Sequence, residues 1–146
     1  MEELSVERFI LVVENNPAHV RLIQTVLSES AVPHRVMAIA DGNEAMHFLQ
    51  RQGIYENVDR PDLVLLDLNL PGKDGRDVLA EMKTDVHLRR IPVVVLTSST
   101  REEDVVTSYT LQGNCYVIKS HEIESLIQVV KRIEEFWLGI VTLPSE

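Results

Sequence analysis

The sequence predicts an α/β domain, a parallel sheet of five strands with helices on both faces. Three observations point there. Short apolar runs alternate along the chain with stretches whose apolar residues recur at helical spacing. Runs such as Leu63-Val64-Leu65-Leu66 are apolar throughout, not at every second residue, as a strand buried on both faces requires. The runs also stop at polar or turn residues; this one meets Asp67, with Pro71, Gly72 and Gly75 just beyond. Strands that alternate with helices form a parallel sheet, joined by right-handed crossovers.

Each element can be justified in turn. Phe9-Ile10-Leu11-Val12-Val13 is the first strand, and Glu14-Asn15-Asn16-Pro17 stops it. Asn16 suits a helix N-cap and Pro17 a first helical turn. Leu22, Ile23, Val26 and Leu27 then mark the buried stripe of the first helix. His34 to Ile39 is a weaker second strand, Asp41-Gly42 a turn, and Ala45, Phe48 and Leu49 one face of a second helix. The polar segment from Gly53 to Pro61 reads as a loop.

The strand ending at Asp67 comes third, followed by a helix with Val78, Leu79 and Met82. Ile91 to Thr97 is the fourth strand, with Pro92 near its start, where it does little harm. Residues 101–111 give a fourth helix with a thin apolar face of Val105, Val106 and Leu111. Asn114 to Ile118 is the fifth strand, ended by Lys119. Ile123, Leu126, Ile127, Val130 and Ile133 form the cleanest stripe in the chain, a fifth helix. No internal repeat, low-complexity tract or linker interrupts the pattern.

Composition narrows the function. The chain has 146 residues, 45% hydrophobic and 25% charged, enough for one domain with a core. A net charge of −9 repels nucleic acid, and no basic run offsets it. No apolar run approaches the ~18 residues of a membrane span. The acidic start Met1-Glu2-Glu3 is wrong for a signal peptide. The single cysteine, Cys115, fits a reducing compartment and reads as a small buried hydrophobe. The expectation is a cytoplasmic protein.

All strands of a parallel sheet end on one edge. The residues there are Glu14 and Asn15, then Asp67 and Asn69, then Thr97 and Ser98, then Lys119. Two acids, amides, hydroxyls and an amine in one crevice suit phosphoryl chemistry. A carboxylate can attack phosphorus, a hard cation held by oxygens can neutralise phosphoryl charge, and a lysine and a hydroxyl can hold the remaining oxygens. The five histidines show no metal-ligand spacing and read as surface or loop residues.

The pattern Ile10-Leu11-Val12-Val13-Glu14-Asn15-Asn16-Pro17, then Asp67-Leu68-Asn69-Leu70-Pro71 with Asp74-Gly75, then Thr97-Ser98 and Lys119, resembles the receiver domain of two-component response regulators. The likeness covers residues 8–135 and implies a flavodoxin-like fold, a (βα)5 three-layer sandwich with strand order 2-1-3-4-5. It implies that Asp67 accepts a phosphoryl group from a histidine kinase. Glu14, Asn15, Asp67 and Asn69 would form a Mg²⁺ site, Asn69 through its backbone carbonyl, with Mn²⁺ or Ca²⁺ as alternatives. Thr97, Ser98 and Lys119 would contact the phosphoryl group. Tyr116 would move with Thr97 in a switch, although from its position alone it reads as a core residue.

The chain's end, Ile133 to Leu138 and then Val141-Thr142-Leu143-Pro144, is similar to the small single-domain regulators of cyanobacterial and other bacterial phytochromes. That likeness implies a phytochrome-type kinase as partner and a homodimer. The receiver would span 1–135. The apolar extension 136–146, with Phe136, Trp137, Leu138, Ile140, Val141 and Leu143, would serve dimerisation. No residues are left for an output domain, so output is expected through protein contact or phosphorelay.

Two positions depart from the family. Asn15 stands where a metal-binding carboxylate is usual, and losing that charge is expected to weaken Mg²⁺ binding by about one to three powers of ten. Ser120 follows Lys119 where Pro with a cis bond is common; a cis bond to Ser costs about 3 kcal/mol. Asn15 keeps open a second reading, a degenerate receiver that binds partners without phosphate. An aspartate-nucleophile phosphohydrolase fits poorly, because Asn69 stands where its acid belongs. A flavin carrier fits poorly too, because Glu14 would repel the phosphate.

Overall fold

The computed structural model describes residues 7–98, 105, 115–119, 122–140 and 143–144. Within them lie β1 (Arg8–Val13), α1 (Pro17–Ser28), β2 (His34–Ile39), α2 (Gly42–Leu49), β3 (Leu63–Leu66), α3 (Gly75–Thr84), β4 (Val93–Thr97), β5 (Cys115–Ile118) and α4 (Ile123–Glu134). The sheet is parallel in the order β2-β1-β3-β4-β5. That is the expected topology. The expected helix over 101–111 lies outside the described residues apart from Val105, so α4 is the helix read above as the fifth.

Pleating sends alternate residues to opposite faces, and two cores result. On one face Leu11, Val13, Val64, Leu66, Val93 and Val95 meet α2 and α3 through Phe48, Leu49, Val78 and Met82. On the other, Ile10, Val12, Leu63, Leu65, Val94 and Leu96 meet α1 and α4 through Ile23, Leu27, Leu126 and Val130. Strands β3 and β4 are buried along their whole length, as continuous apolar runs require. Ser30 Oγ donates to Glu134 Oε2 at 2.7 Å, linking the end of α1 to α4.

Some boundaries shift. Ile91 and Pro92 precede β4; Pro92 has no N–H for the ladder but accepts a hydrogen bond from Val64 at 3.0 Å. The 53–61 loop holds a short 3₁₀ turn, Gly53–Tyr55. Tyr55 packs edge-on against Phe48, and its hydroxyl donates to Glu44, which raises the phenol pKa. Cys115 was expected to be buried and is only half-buried; it packs against the α1/α4 core.

The apolar extension continues from α4 without a break, as a π-helical stretch over Glu135–Ile140. Trp137 and Leu138 pack against the protein's own core, and Leu143 is buried. Phe136 meets Trp137 edge-to-face and keeps about half its surface exposed. Part of the extension therefore covers its own domain. Val141 and the side chain of Ile140 lie outside the described residues.

Two glycines set the path of the chain beyond β3. A Cβ on Gly75 would stand 2.3 Å from the Asp67 carbonyl oxygen, and one on Gly42 would stand 1.8 Å from that of Lys73. The start of α3 thus packs directly on the backbone of Asp67.

Candidate functional site

The sheet carries its hydrogen bonding one residue past the strands. The Glu14 N–H donates to Ile39 O at 3.0 Å, Asp67 N–H to Val13 O at 3.0 Å and Lys119 N–H to Thr97 O at 2.7 Å. The backbones of three functional candidates are thereby fixed to neighbouring strands at one edge. The turn after β1 is shaped by Asn16, the expected N-cap. Its side chain accepts from Ala18 and His19 N–H groups at 2.9 and 3.3 Å, while its own N–H donates to Glu14 Oε2 at 2.9 Å. Asp74 caps α3 in the same way, accepting from the Arg76 N–H at 2.8 Å.

Glu14, Asp67, Thr97 and Lys119 are all buried, at 3%, 6%, 0% and 5% exposure. Lys119 Nζ donates to Glu14 Oε1 at 2.7 Å and to Asp67 Oδ2 at 3.1 Å. The other Asp67 oxygen, Oδ1, accepts from the Thr97 hydroxyl at 2.8 Å and the Asn69 N–H at 3.1 Å. One ammonium thus bridges two carboxylates, leaving the trio with one negative charge in excess. Buried carboxylates of this kind persist only when paired and hydrogen-bonded.

Above them lies a crevice of about 280 Å³, lined by these acids and the lysine together with Asn15, Asn16, His19, Asn69 and Ser98. Asn15, Asn69 and Ser98 are exposed at its rim. Tyr116 stands apart. It is paired in register with Val95 on β5 and packs half-buried against the α2/α3 core. Ser120 lies outside the described residues.

Sequence reading missed His19. It had been placed among surface or loop residues, but it belongs to the first turn of α1 and is half-buried, with Nδ1 4.0 Å from Glu14 Oε2. The signal was available. An N-cap at Asn16 puts the third residue after it on the first turn, and that turn faces the strand ends.

The donor set fits a hard divalent cation. Glu14 and Asp67 supply carboxylate oxygens, and the Asn15 side chain stands beside them on the crevice wall. Among the described residues no group of three or more His, Cys, Asp or Glu is arranged to hold a metal ion, so a cation beside Glu14 and Asp67 would take its remaining oxygens from amide or backbone groups and water. The same set can place a carboxylate oxygen against phosphorus, with an ammonium and a hydroxyl beside it.

The comparisons agree with this geometry. Residues 10–131 match the family described as response regulator receiver domain. The curated protein Response regulator Rcp1 of Synechocystis sp. is 53% identical over 144 residues, covering 99% of this chain and 98% of that protein. The crystal structure of the phosphorylated cyanobacterial phytochrome response regulator RcpA superposes with a TM-score of 0.94 at 56% identity, over 96% of this chain and all of that one. The Mn²⁺-bound form of Rcp1 gives 0.93 at 54% identity, over 94% of this chain and 99% of that one. With the sheet order and the strand-end residues, these matches show that the chain belongs to the response regulator receiver domain family.

Proposed function

We propose that Asp67 accepts a phosphoryl group from the phosphohistidine of a phytochrome-type histidine kinase in the cytoplasm. An Asp67 oxygen attacks phosphorus, the O–P bond forms, the histidine N–P bond breaks, and the imidazole leaves with the electron pair. The carrying observation is the buried arrangement of Asp67 with Lys119 and Thr97. Lys119 and Thr97 hold the carboxylate before transfer and then turn to the phosphoryl oxygens. Ser98 and the Asn69 N–H stand at the rim where those oxygens arrive. Tyr116 follows Thr97, carrying the change to β5 and the surface beside it. The likeness to RcpA and Rcp1 supports the choice of kinase.

A divalent cation, Mg²⁺ in the cell, would be held by Glu14, Asp67, the Asn15 side chain and the Asn69 carbonyl. When bound, it supplies positive charge against the phosphoryl oxygens. Asn15 contributes an oxygen without a charge, so the affinity is low. Mn²⁺ and Ca²⁺ suit the same oxygens, and the Mn²⁺-bound form of Rcp1 supports this reading. The chain acts as a signalling phosphoacceptor, with at most self-phosphorylation and autodephosphorylation as chemistry of its own. It signals by protein contact or phosphorelay and not through nucleic acid.

A homodimer completes the proposal. Phe136, Ile118 and Ile123 remain about half or more exposed, at 49%, 48% and 66%. Sedimentation of the full chain against residues 1–135 tests it, with a dimer expected only for the full chain.

The test of the main reading is transfer from an autophosphorylated phytochrome-type kinase to the full chain. Label is expected on the wild type and not on Asp67→Asn. Binding to the kinase without transfer at any Mg²⁺ concentration would favour the second reading, a phosphate-independent binding module, which rests on Asn15.

A further inference from the structure

A second concavity lies at the opposite edge of the sheet, where α2 and α3 end and the chain returns into β3 and β4. It encloses about 470 Å³, within the usual range of small-molecule sites. The chain carries a net charge of −9, yet Arg51, Arg60 and Arg90 all line this one hollow. Among the described residues, neither Arg60 nor Arg90 has a carboxylate within 4 Å. The acid in the wall, Asp85, is already engaged: its Oδ1 accepts the His87 N–H at 2.7 Å.

Two of the arginines stand on fixed backbone. Arg51 follows the end of α2 with φ +56°, in the left-handed region. Its N–H donates to Phe48 O and the next N–H, of Gln52, to His47 O, a helix-ending motif that favours glycine at this position. The sequence carries an arginine there instead. Below Arg90, Lys83 Nζ donates to Arg89 O at 3.1 Å and Ile91 O at 2.8 Å, fastening the segment that enters β4. The floor is apolar, made by the buried Leu49 and Leu88.

We propose that this hollow binds a small organic phosphate of about nucleotide size. Guanidinium groups match phosphate oxygens two at a time and stack on flat rings, and the apolar floor receives the remainder of the ligand. A hollow of this volume suits a small molecule better than the acidic face of a protein. The site is separate from Asp67, since it is built from segments that precede strands and Asp67 follows one.

The probe is ADP, titrated into the full ¹⁵N-labelled chain at constant ionic strength with EDTA present. Saturable amide shifts at Arg51, Arg60 and residues 85–90 are expected, with tighter binding than inorganic phosphate. Arg60→Gln with Arg90→Gln is expected to weaken binding about tenfold or more. Arg51→Gly relieves the backbone, keeps or raises the melting temperature and also weakens ADP binding, so lost affinity is separated from lost folding. No saturation by about 10 mM ADP, roughly ten times a Kd of 1 mM, overturns the proposal. So do shifts confined to the Asp67 crevice, equal binding of inorganic phosphate, unchanged affinity in the arginine variants, or an acidic peptide binding more tightly than ADP.

Discussion

Replacing Lys119 with methionine tests the buried charge arrangement directly. The side chain keeps its bulk, while Glu14 and Asp67, 3% and 6% exposed, lose their shared cation. The ammonium reaches one carboxylate at 2.7 Å and the other at 3.1 Å. The two bonded oxygens therefore face each other across less than about 6 Å, where like charges repel by roughly 3 kcal/mol at an effective dielectric of 20. Removing one partner of a buried ion pair costs about 3–5 kcal/mol. The same figure is expected here from urea unfolding at pH 7 in EDTA, followed by circular dichroism and by fluorescence of Trp137, the one tryptophan. That is a large part of the roughly 5–15 kcal/mol holding a domain together. Two rescues should follow. Millimolar Mg²⁺ should restore part of the loss, and adding Asp67→Asn should restore more, because only one buried carboxylate remains. A loss below about 1 kcal/mol, well under the range for a broken buried pair, refutes the reasoning. So does an Asp67→Asn change that deepens the defect.

Three further outcomes are expected. Gly75→Ala drives a Cβ into the Asp67 carbonyl, 2.3 Å away, and should cost about 1–3 kcal/mol and slow phosphorylation, since the backbone under the acceptor must shift; a fully active, equally stable variant would contradict that packing. Burial pushes the Cys115 thiol pKa up, so the native chain at pH 8 should react with iodoacetamide at least about tenfold more slowly than the urea-unfolded chain; equal rates would contradict it. Because that folded pKa is raised, Cys115 adds stability that is fully present below the ordinary thiol pKa and lost as pH rises through the raised value; Cys115→Ala should flatten the alkaline limb of the stability profile.

Strand ends were legible because their signals are local, whereas the order β2-β1-β3-β4-β5 followed only from the resemblance to receiver domains. Continuous apolar runs in β3 and β4 required burial on both faces, and each ended at a residue of the site. The shared edge of a parallel sheet then brought Glu14, Asp67, Thr97 and Lys119 together on paper as they are in the fold. What stayed hidden depends on tertiary packing. His19 read as a surface or loop residue until α1 was placed against the strand ends. The tail looked like a bare apolar patch, because composition does not say that Trp137 and Leu138 turn back onto the α1/α4 core. Arg51, Arg60 and Arg90 are scattered in sequence, and only the loops at the far edge bring them to one hollow.

The central claim is that Asp67 accepts phosphate although Asn15 has taken an acid's place. The most direct measurement is the intact mass of the chain after incubation with acetyl phosphate across a Mg²⁺ titration, alongside Asn15→Asp and Asp67→Asn. The account predicts one phosphoryl adduct on the wild type and none on Asp67→Asn. It also predicts a Mg²⁺ requirement about ten- to a thousandfold lower in Asn15→Asp, the effect of one carboxylate regained. No adduct on either the wild type or Asn15→Asp at saturating Mg²⁺, or an adduct that survives Asp67→Asn, would contradict it.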